Sequence, residues 1–400
     1  MKQYDKITPE GTKDLLFGEC EVKKQVLSKI SSIFESHGYE SVMTPGIEFY
    51  DVFSANSRSY PQESMYKLVD LHGRLLVLRP DSTTPIARLV TTRLKGYTPP
   101  FRLYYNQNVY RLNKSLTGQS DEITQIGAEL IGSCAKTGDL EIISMAIEAL
   151  EAIGISDYRL EIGHIGFLNA LIAGLPVTEE QKEEIRVLVN SKNYPALNDL
   201  LATLSLGSAI NALQQLPRLF GGEEVFEAAG KLFDDTGTIE TLNYLKMVYR
   251  QLRRLGLGDK LIMDLGLVNE NVYYTGVIFR AYIEGSGQAV LSGGRYDKLF
   301  EDFGESYDAT GFAIDADVLS KSLFSSGNHP KGKAPDILVT FPADREMDAV
   351  LYGKKLIQKG LKVELGFFEG EEDAIHYAKS KGILAIHKVS DSVQIFDINQ

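Results

Sequence analysis

Apolar residues recur at helical spacing over residues 19–37, where Val22, Val26, Ile30 and Ile33 share one face and Gly38 supplies a stop. The period then shortens. Tyr39–Pro45 reads as a β-like run closed by Pro45, and Leu75–Leu78, Leu103–Tyr110 and Ile123–Ile131 read as strands. Asp139–Ile153 returns to a helix, with Leu140, Ile143, Ile147 and Leu150 on one face before Gly154, and Tyr158–Ile162 alternates as a strand does. From residue 174 to 250, Leu, Ala, Glu and Lys fall at helical periods with few strand signals, which predicts a helical insertion. Val272–Ile283 and Gln288–Ser292 then predict two strands around Gly285-Ser286-Gly287. That glycine pair marks a hairpin turn and not a phosphate loop, because the third glycine of the fingerprint is absent and no helix follows.

The run Ser325–Pro335 (SSGNHPKGKAP) has linker composition. Beyond it, Asp336–Phe341, Glu346–Lys359, Leu361–Leu365, Glu371–Lys381 and Ile383–His387 alternate as a small βαβαβ unit. The predicted organisation is a core over 1–325 interrupted by the insertion at 174–250, a linker at 326–335 and a small α/β domain at 336–400. The core strands are separated irregularly, which suits an antiparallel sheet flanked by helices, an α+β fold, better than a doubly wound parallel sheet.

Composition narrows the class without choosing a function. The chain has 400 residues, 44% hydrophobic and 24% charged, enough to bury a large core without staples. Its two cysteines, Cys20 and Cys134, form no C-x-x-C pair and read as structural thiols of a reducing cytoplasm. Residues 1–10 are polar, with no apolar signal region, and no stretch has the roughly 20 apolar residues that a membrane span needs. Net charge is −12, the opposite of the basic balance typical of nucleic-acid binders. The six histidines show no metal constellation; His37 and His164 read as isolated structural residues.

Several segments carry a resemblance. Pro9-Glu10-Gly11-Thr12-Lys13-Asp14-Leu15 resembles the opening of histidyl-tRNA synthetases. Thr44-Pro45-Gly46-Ile47-Glu48 resembles class II motif 1, and Leu78-Arg79-Pro80-Asp81-Ser82-Thr83 resembles the family's amino-acid loop. Residues Pro100 to Arg111 and Gln125-Ile126-Gly127-Ala128-Glu129 resemble the two strands of motif 2. Tyr273-Tyr274-Thr275-Gly276 and Gly293-Gly294-Arg295-Tyr296-Asp297 resemble the two segments peculiar to the histidine family, and Gly311-Phe312-Ala313-Ile314 the opening of motif 3. They run in family order across residues 7–320.

The resemblance implies a class II synthetase-like fold whose ATP chemistry has been dismantled. Adenylation needs fixed cations on the phosphates, and guanidinium groups grip phosphate in two places. Arg111 matches the motif 2 arginine, but Asn113, Asn269 and Val318 stand where the family has a glutamate and two arginines. The amino-acid side is better kept: Asp81 replaces a family glutamate but keeps a carboxylate, and Thr83, Gln125, Glu129, Tyr273 and Tyr274 match the family's polar and aromatic contacts to histidine. Gln125 and Glu129 share one strand face, and the Glu129 carboxylate suits an imidazole N–H. Tyr273 and Tyr274 are consecutive, so one is expected toward the ligand and the other in the core. Arg111 either grips an anion or holds Glu129 or another carboxylate in a structural ion pair. Gly293 and Gly294 are expected at a close strand approach, with Arg295-Tyr296-Asp297 packing strand to helix.

A disabled core with a reduced tail resembles the regulatory subunits of short-form ATP phosphoribosyltransferase. That resemblance implies a non-catalytic, cytoplasmic protein without a cofactor. It implies a homodimer within a hetero-octamer with the short catalytic subunit, with L-histidine as feedback effector and without tRNA. The alternatives are an active histidyl-tRNA synthetase and a free-standing paralogue that binds RNA or protein.

Overall fold

The computed structural model describes residues 4–54, 60–113, 120–133, 135–204, 207–233, 235–268, 273–327 and 334–398. The chain divides into two compact units, residues 1–327 and 328–400.

The first unit is built on a nine-stranded sheet. Its strands in chain order are β1 (Glu40–Ser41), β2 (Phe101–Tyr110), β3 (Glu122–Ile131), β4 (Tyr158–His164), β5 (Phe220–Gly221), β6 (Leu261–Asp264), β7 (Val277–Ile283), β8 (Leu291–Arg295) and β9 (Ala309–Asp315). In space they run β1-β2-β3-β9-β8-β7-β4-β6-β5. The interior pairs from β2 to β4 are all antiparallel, while β1 joins β2 and β6 joins β4 in parallel. This is the expected α+β sheet, largely antiparallel, with parallel additions toward its edges.

Alternation along each strand separates two environments. On one face Tyr104, Ile126, Ala128, Leu130, Phe312 and Ile314 meet helix α1 (Gly18–Ser36), helix α3 (Ala135–Ala152) and the helix Ala316–Ser325. Here Val22, Val26 and Ile30 of α1 are buried as predicted, Phe34 completes the face in place of the partly buried Ile33, and Gly38 takes φ 78° just beyond the C-terminus. On the other face Phe101, Leu103 and Tyr105 pack with Ile86 and Val90 of helix α2 (Thr83–Arg93) and with the aromatic rings of Tyr273, Tyr296 and Phe300. The functional cavity opens on this second face.

Several boundaries differ from the sequence expectation. Only Glu40–Ser41 of the Tyr39–Pro45 run pairs in a sheet. Leu75–Leu78 lies in a separate three-stranded sheet, between Ile47–Phe49 and Lys67–Val69. Arg79 ties that sheet to the central one, donating to the carbonyls of Thr44, Pro45 and Asn108. The hairpin around Gly285 is present, but its strands are β7 and β8, so pairing begins at Ala281 and Leu291 beyond a longer loop. Val272 lies outside the described residues, as do residues 328–333 of the expected linker.

The 174–250 segment is not a purely helical appendage. Helices Glu179–Asn190, Tyr194–Ala202, Ser208–Gln215, Glu224–Leu232 and Thr236–Arg254 dominate it, yet β5 pairs with β6 at the sheet edge. Its apolar residues, Leu197, Leu213, Leu245 and Val248 among them, join the same hydrophobic cluster as α1 and α3. Helical periodicity was legible, whereas a two-residue strand is too short to alternate.

The second unit has strands β10 (Ile337–Thr340), β11 (Val363–Gly366), β12 (Ala385–Val389) and β13 (Val393–Asp397), in the order β11-β10-β12-β13. The first three are parallel and form the expected βαβαβ unit with helices Glu346–Gln358 and Glu371–Lys381. The antiparallel strand β13 was not foreseen; all five of its residues are exposed, so burial imposes no period on it.

Candidate functional site

A cavity of about 380 Å³ lies on the aromatic face of the central sheet. Tyr105 of β2, Gln125 and Glu129 of β3, Ser292 of β8, and Gly311 and Ala313 of β9 line it from the sheet. Asp81, Thr83, Tyr60, Arg111, Asn113, Tyr273, Tyr274 and Tyr296 contribute from the surrounding loops and helix starts. All the sequence-selected residues Asp81, Thr83, Arg111, Gln125, Glu129, Tyr273 and Tyr274 therefore border one space. Asn269 lies outside the described residues.

Glu129 is the electrostatic centre of this space. Its side chain is 1% exposed, Thr83 Oγ1 donates to its Oε1 at 2.8 Å, and the Tyr296 hydroxyl donates to Oε2. Burial pushes its carboxyl up to about 8, against the opposing pull of those two hydrogen bonds. Glycine is required opposite it: a Cβ on Gly311 would stand 1.8 Å from Glu129 Oε2. Thr83 thus spends its hydroxyl on Glu129 and acts as a positioning residue.

Asp81 is committed to its own helix. Its two oxygens accept from the Thr84 N–H and hydroxyl, both at 2.9 Å, tying down the first turn of α2. Burial raises its carboxyl above the usual range, while Thr84 and the nearby Arg111 charge oppose the rise. Arg111 forms no ion pair with Glu129. Its Nε donates to the Pro80 carbonyl at 2.8 Å and its guanidinium lies 5.5 Å from the centre of the Tyr60 ring. No other hydrogen bond or ion pair of its side chain occurs among the described residues, so its Nη donors remain for an anion.

The other two substituted positions have become structural. Asn113 donates from its backbone N–H and from Nδ2 to Asp121 Oδ1, each at 3.1 Å. Val318 packs against the hydrophobic cluster on the opposite face of the sheet. Arg111 is the cavity's single cationic lining residue among the described residues.

Tyr273 and Tyr274 do not alternate, because they precede β7 in a non-strand segment. Both line the cavity, with ring centres 5.0 Å apart. The two neighbouring motifs interlock beneath them. Gly294 leaves room for the Tyr274 ring, Gly276 for the Arg295 side chain, and the Asp297 N–H donates to Thr275 Oγ1 at 3.1 Å. Arg295 does join strand to helix, through a buried pair with Asp139 of α3 at 2.8 Å. Gly293 and Gly294 stand at close strand approaches, where a Cβ would meet backbone carbonyls at 2.5 Å.

His164 and His37 serve structure. Half-buried His164 accepts the Gly166 N–H at 3.0 Å at the start of a helix, and desolvation pushes its ring down to about 4. His37 is not isolated, lying 2.7 Å from Glu148. Among the described residues, no group of three or more His, Cys, Asp or Glu could hold a metal ion.

Comparison with known proteins fixes the lineage. A family description of histidyl-tRNA synthetases matches residues 11–319. A Clostridium kluyveri protein named ATP phosphoribosyltransferase regulatory subunit is 42% identical over 387 residues, covering 96% of this chain and 99% of that one. The chain belongs to this regulatory-subunit family. A Clostridium acetobutylicum member is 37% identical across 100% of this chain and 99% of its own length. A crystal structure of a regulatory subunit/histidyl-tRNA synthetase from Bacillus halodurans C superposes with a TM-score of 0.86 at 30% identity, covering 97% of this chain and 100% of that one. Histidyl-tRNA synthetase from Nostoc sp. PCC 7120 shares the fold, with a TM-score of 0.78 at 20% identity over 98% of this chain and 95% of that one.

Among the cavity residues of this family member that were not picked out as ligand contacts from the sequence, three are tyrosines. Tyr105 stands opposite Gly127 in the β2–β3 ladder, between the pairs Leu103–Glu129 and Gln107–Gln125, so the hairpin register would have placed it on the face of Glu129. Tyr296 was assigned to packing, yet its hydroxyl holds Glu129. Tyr60 comes from a loop that carries no periodic signal.

Proposed function

We propose that the chain is the non-catalytic regulatory subunit of a short-form ATP phosphoribosyltransferase, and that the cavity beside Glu129 binds L-histidine. The observation that carries this reading is the asymmetry of the cavity. The imidazole-facing side retains Glu129 held by Thr83 and Tyr296, while the phosphate side keeps only Arg111 among its described residues. Loss of one electrostatic donor costs about 100- to 1000-fold in rate. With Val318 packed against the hydrophobic cluster and Asn113 tied to Asp121, adenylation has only Arg111 as a cation among the described lining residues.

In this reading Gln125, Glu129, Tyr273 and Tyr274 contact the amino acid, Arg111 takes its carboxylate, and Asp81 and Thr83 shape the wall. The protein works as a homodimer within a hetero-octamer in the cytoplasm, and it binds no tRNA. Histidine controls activity by binding one assembly state more tightly than another, since only differential affinity shifts an equilibrium. The test is to mix the chain with the short catalytic subunit, ATP and phosphoribosyl pyrophosphate. Activity rises on mixing and falls as histidine is added. Histidine-dependent ATP–pyrophosphate exchange by the chain alone, abolished by Arg111→Ala, would overturn the proposal.

A further inference from the structure

The second unit carries a cavity of its own, of about 350 Å³, that the regulatory reading does not use. Its position follows from chain topology. Helix Glu346–Gln358 packs on Ile337 and Val339, whereas helix Glu371–Lys381 packs on Leu338 and Ile386. Alternate residues of a strand face opposite sides, so the two helices cover opposite faces of the sheet. The loops that follow β10 and β11 therefore leave the adjacent parallel strands in opposite directions. They open a crevice at the carboxyl ends, the general location of ligand sites in open α/β sheets.

The crevice is built, not incidental. Gly366 leaves space for the Phe368 ring to fold back against the sheet; a Cβ there would stand 2.4 Å from that ring. Phe368 is braced by Tyr377 at 5.3 Å between ring centres and forms an apolar floor with buried Ile386 and Ala374. Phe367 and Phe396 stand at the rim, 57% and 38% exposed. Aromatic walls around a volume of this size suit one planar ring system.

Charge selects among such rings. The lining holds two carboxylates, Glu369 and Glu371, against one ammonium, Lys388. Lys388 is already paired with Glu371, while Glu369 has no ion pair among the described residues. The first turn of the adjoining helix is Glu371, Glu372 and Asp373, which repels anions from its N-terminus. We propose that this crevice is a binding site for a small planar aromatic molecule bearing a positive charge, an aromatic amine.

The experiment uses the full chain labelled with carbon-13 at isoleucine methyls, with tryptamine and indole-3-acetate as probes of one ring and opposite charge. Tryptamine shifts the Ile375 and Ile386 methyls saturably at millimolar concentration and leaves Ile357 unmoved. Indole-3-acetate binds more weakly by roughly threefold or more, the scale of one exposed charge interaction. The rim variants Phe367→Ser and Phe396→Ser, whose exposed rings contribute little to the core, each weaken tryptamine binding roughly fivefold while other methyl signals hold their positions. Absence of a saturable shift, equal binding of the two probes, or unchanged affinity in both folded variants would each overturn the proposal.

Discussion

At the scale of single residues, Glu129 concentrates the protein's unusual chemistry. Its carboxyl is raised to about 8 by burial, so the folded protein holds a proton there that the unfolded chain releases near the ordinary glutamate value. Stability is then greatest below that ordinary value, declines as pH rises, and levels off above about 8. Wild-type protein is expected to lose roughly 2–4 kcal/mol of unfolding free energy from this group between mildly acidic and mildly alkaline pH. Glu129→Gln should flatten that slope in urea titrations at the two pH values, and an unchanged slope would place the proton elsewhere. Gly311→Ala probes the same carboxylate sterically. Its Cβ would collide with Glu129 Oε2 and with the Ala128 carbonyl, so a loss of about 1–3 kcal/mol is expected in the same titrations.

At the scale of elements, the buried Arg295–Asp139 pair joins β8 to α3, and the helix Thr236–Arg254 is drawn in because the Tyr244 hydroxyl also donates to Asp139. The Asp139 side chain is fully buried. Arg295→Met should therefore cost about 3–5 kcal/mol, chiefly by leaving a carboxylate uncompensated. Adding Asp139→Asn should recover part of that loss, and a double-mutant cycle measured by denaturant unfolding checks it. Strict additivity would show that the two side chains do not depend on each other. The motif Gly293-Gly294-Arg295-Tyr296-Asp297 thus performs two tasks one residue apart: Arg295 joins elements, and Tyr296 positions Glu129.

At the scale of the whole molecule, the two compact units hold separate hydrophobic clusters. A chain ending at Gly327 is expected to unfold cooperatively, with a denaturant slope in proportion to its length. Loss of a cooperative transition would show that residues 328–400 are needed for the first unit to fold. Periodicity placed part of the long helices and strands, because a helix face or strand face that must be buried imprints its repeat on the sequence: α1, α3, β3 and the βαβαβ order are examples, whereas α2 and β9 were not foreseen. Ordered motifs likewise pointed to the residues around one cavity. The sequence did not carry β5, too short to show a period, or β13, exposed along its length. Nor did it carry the roles within the cavity. That Thr83 and Tyr296 hold Glu129, and that Arg111 lies near Tyr60 without pairing to Glu129, are matters of distance between distant segments. A local sequence pattern specifies which face a residue takes on its own element. Only the packed structure brings faces together, and hydrogen bonds, exclusion of water and shifted protonation follow from that packing.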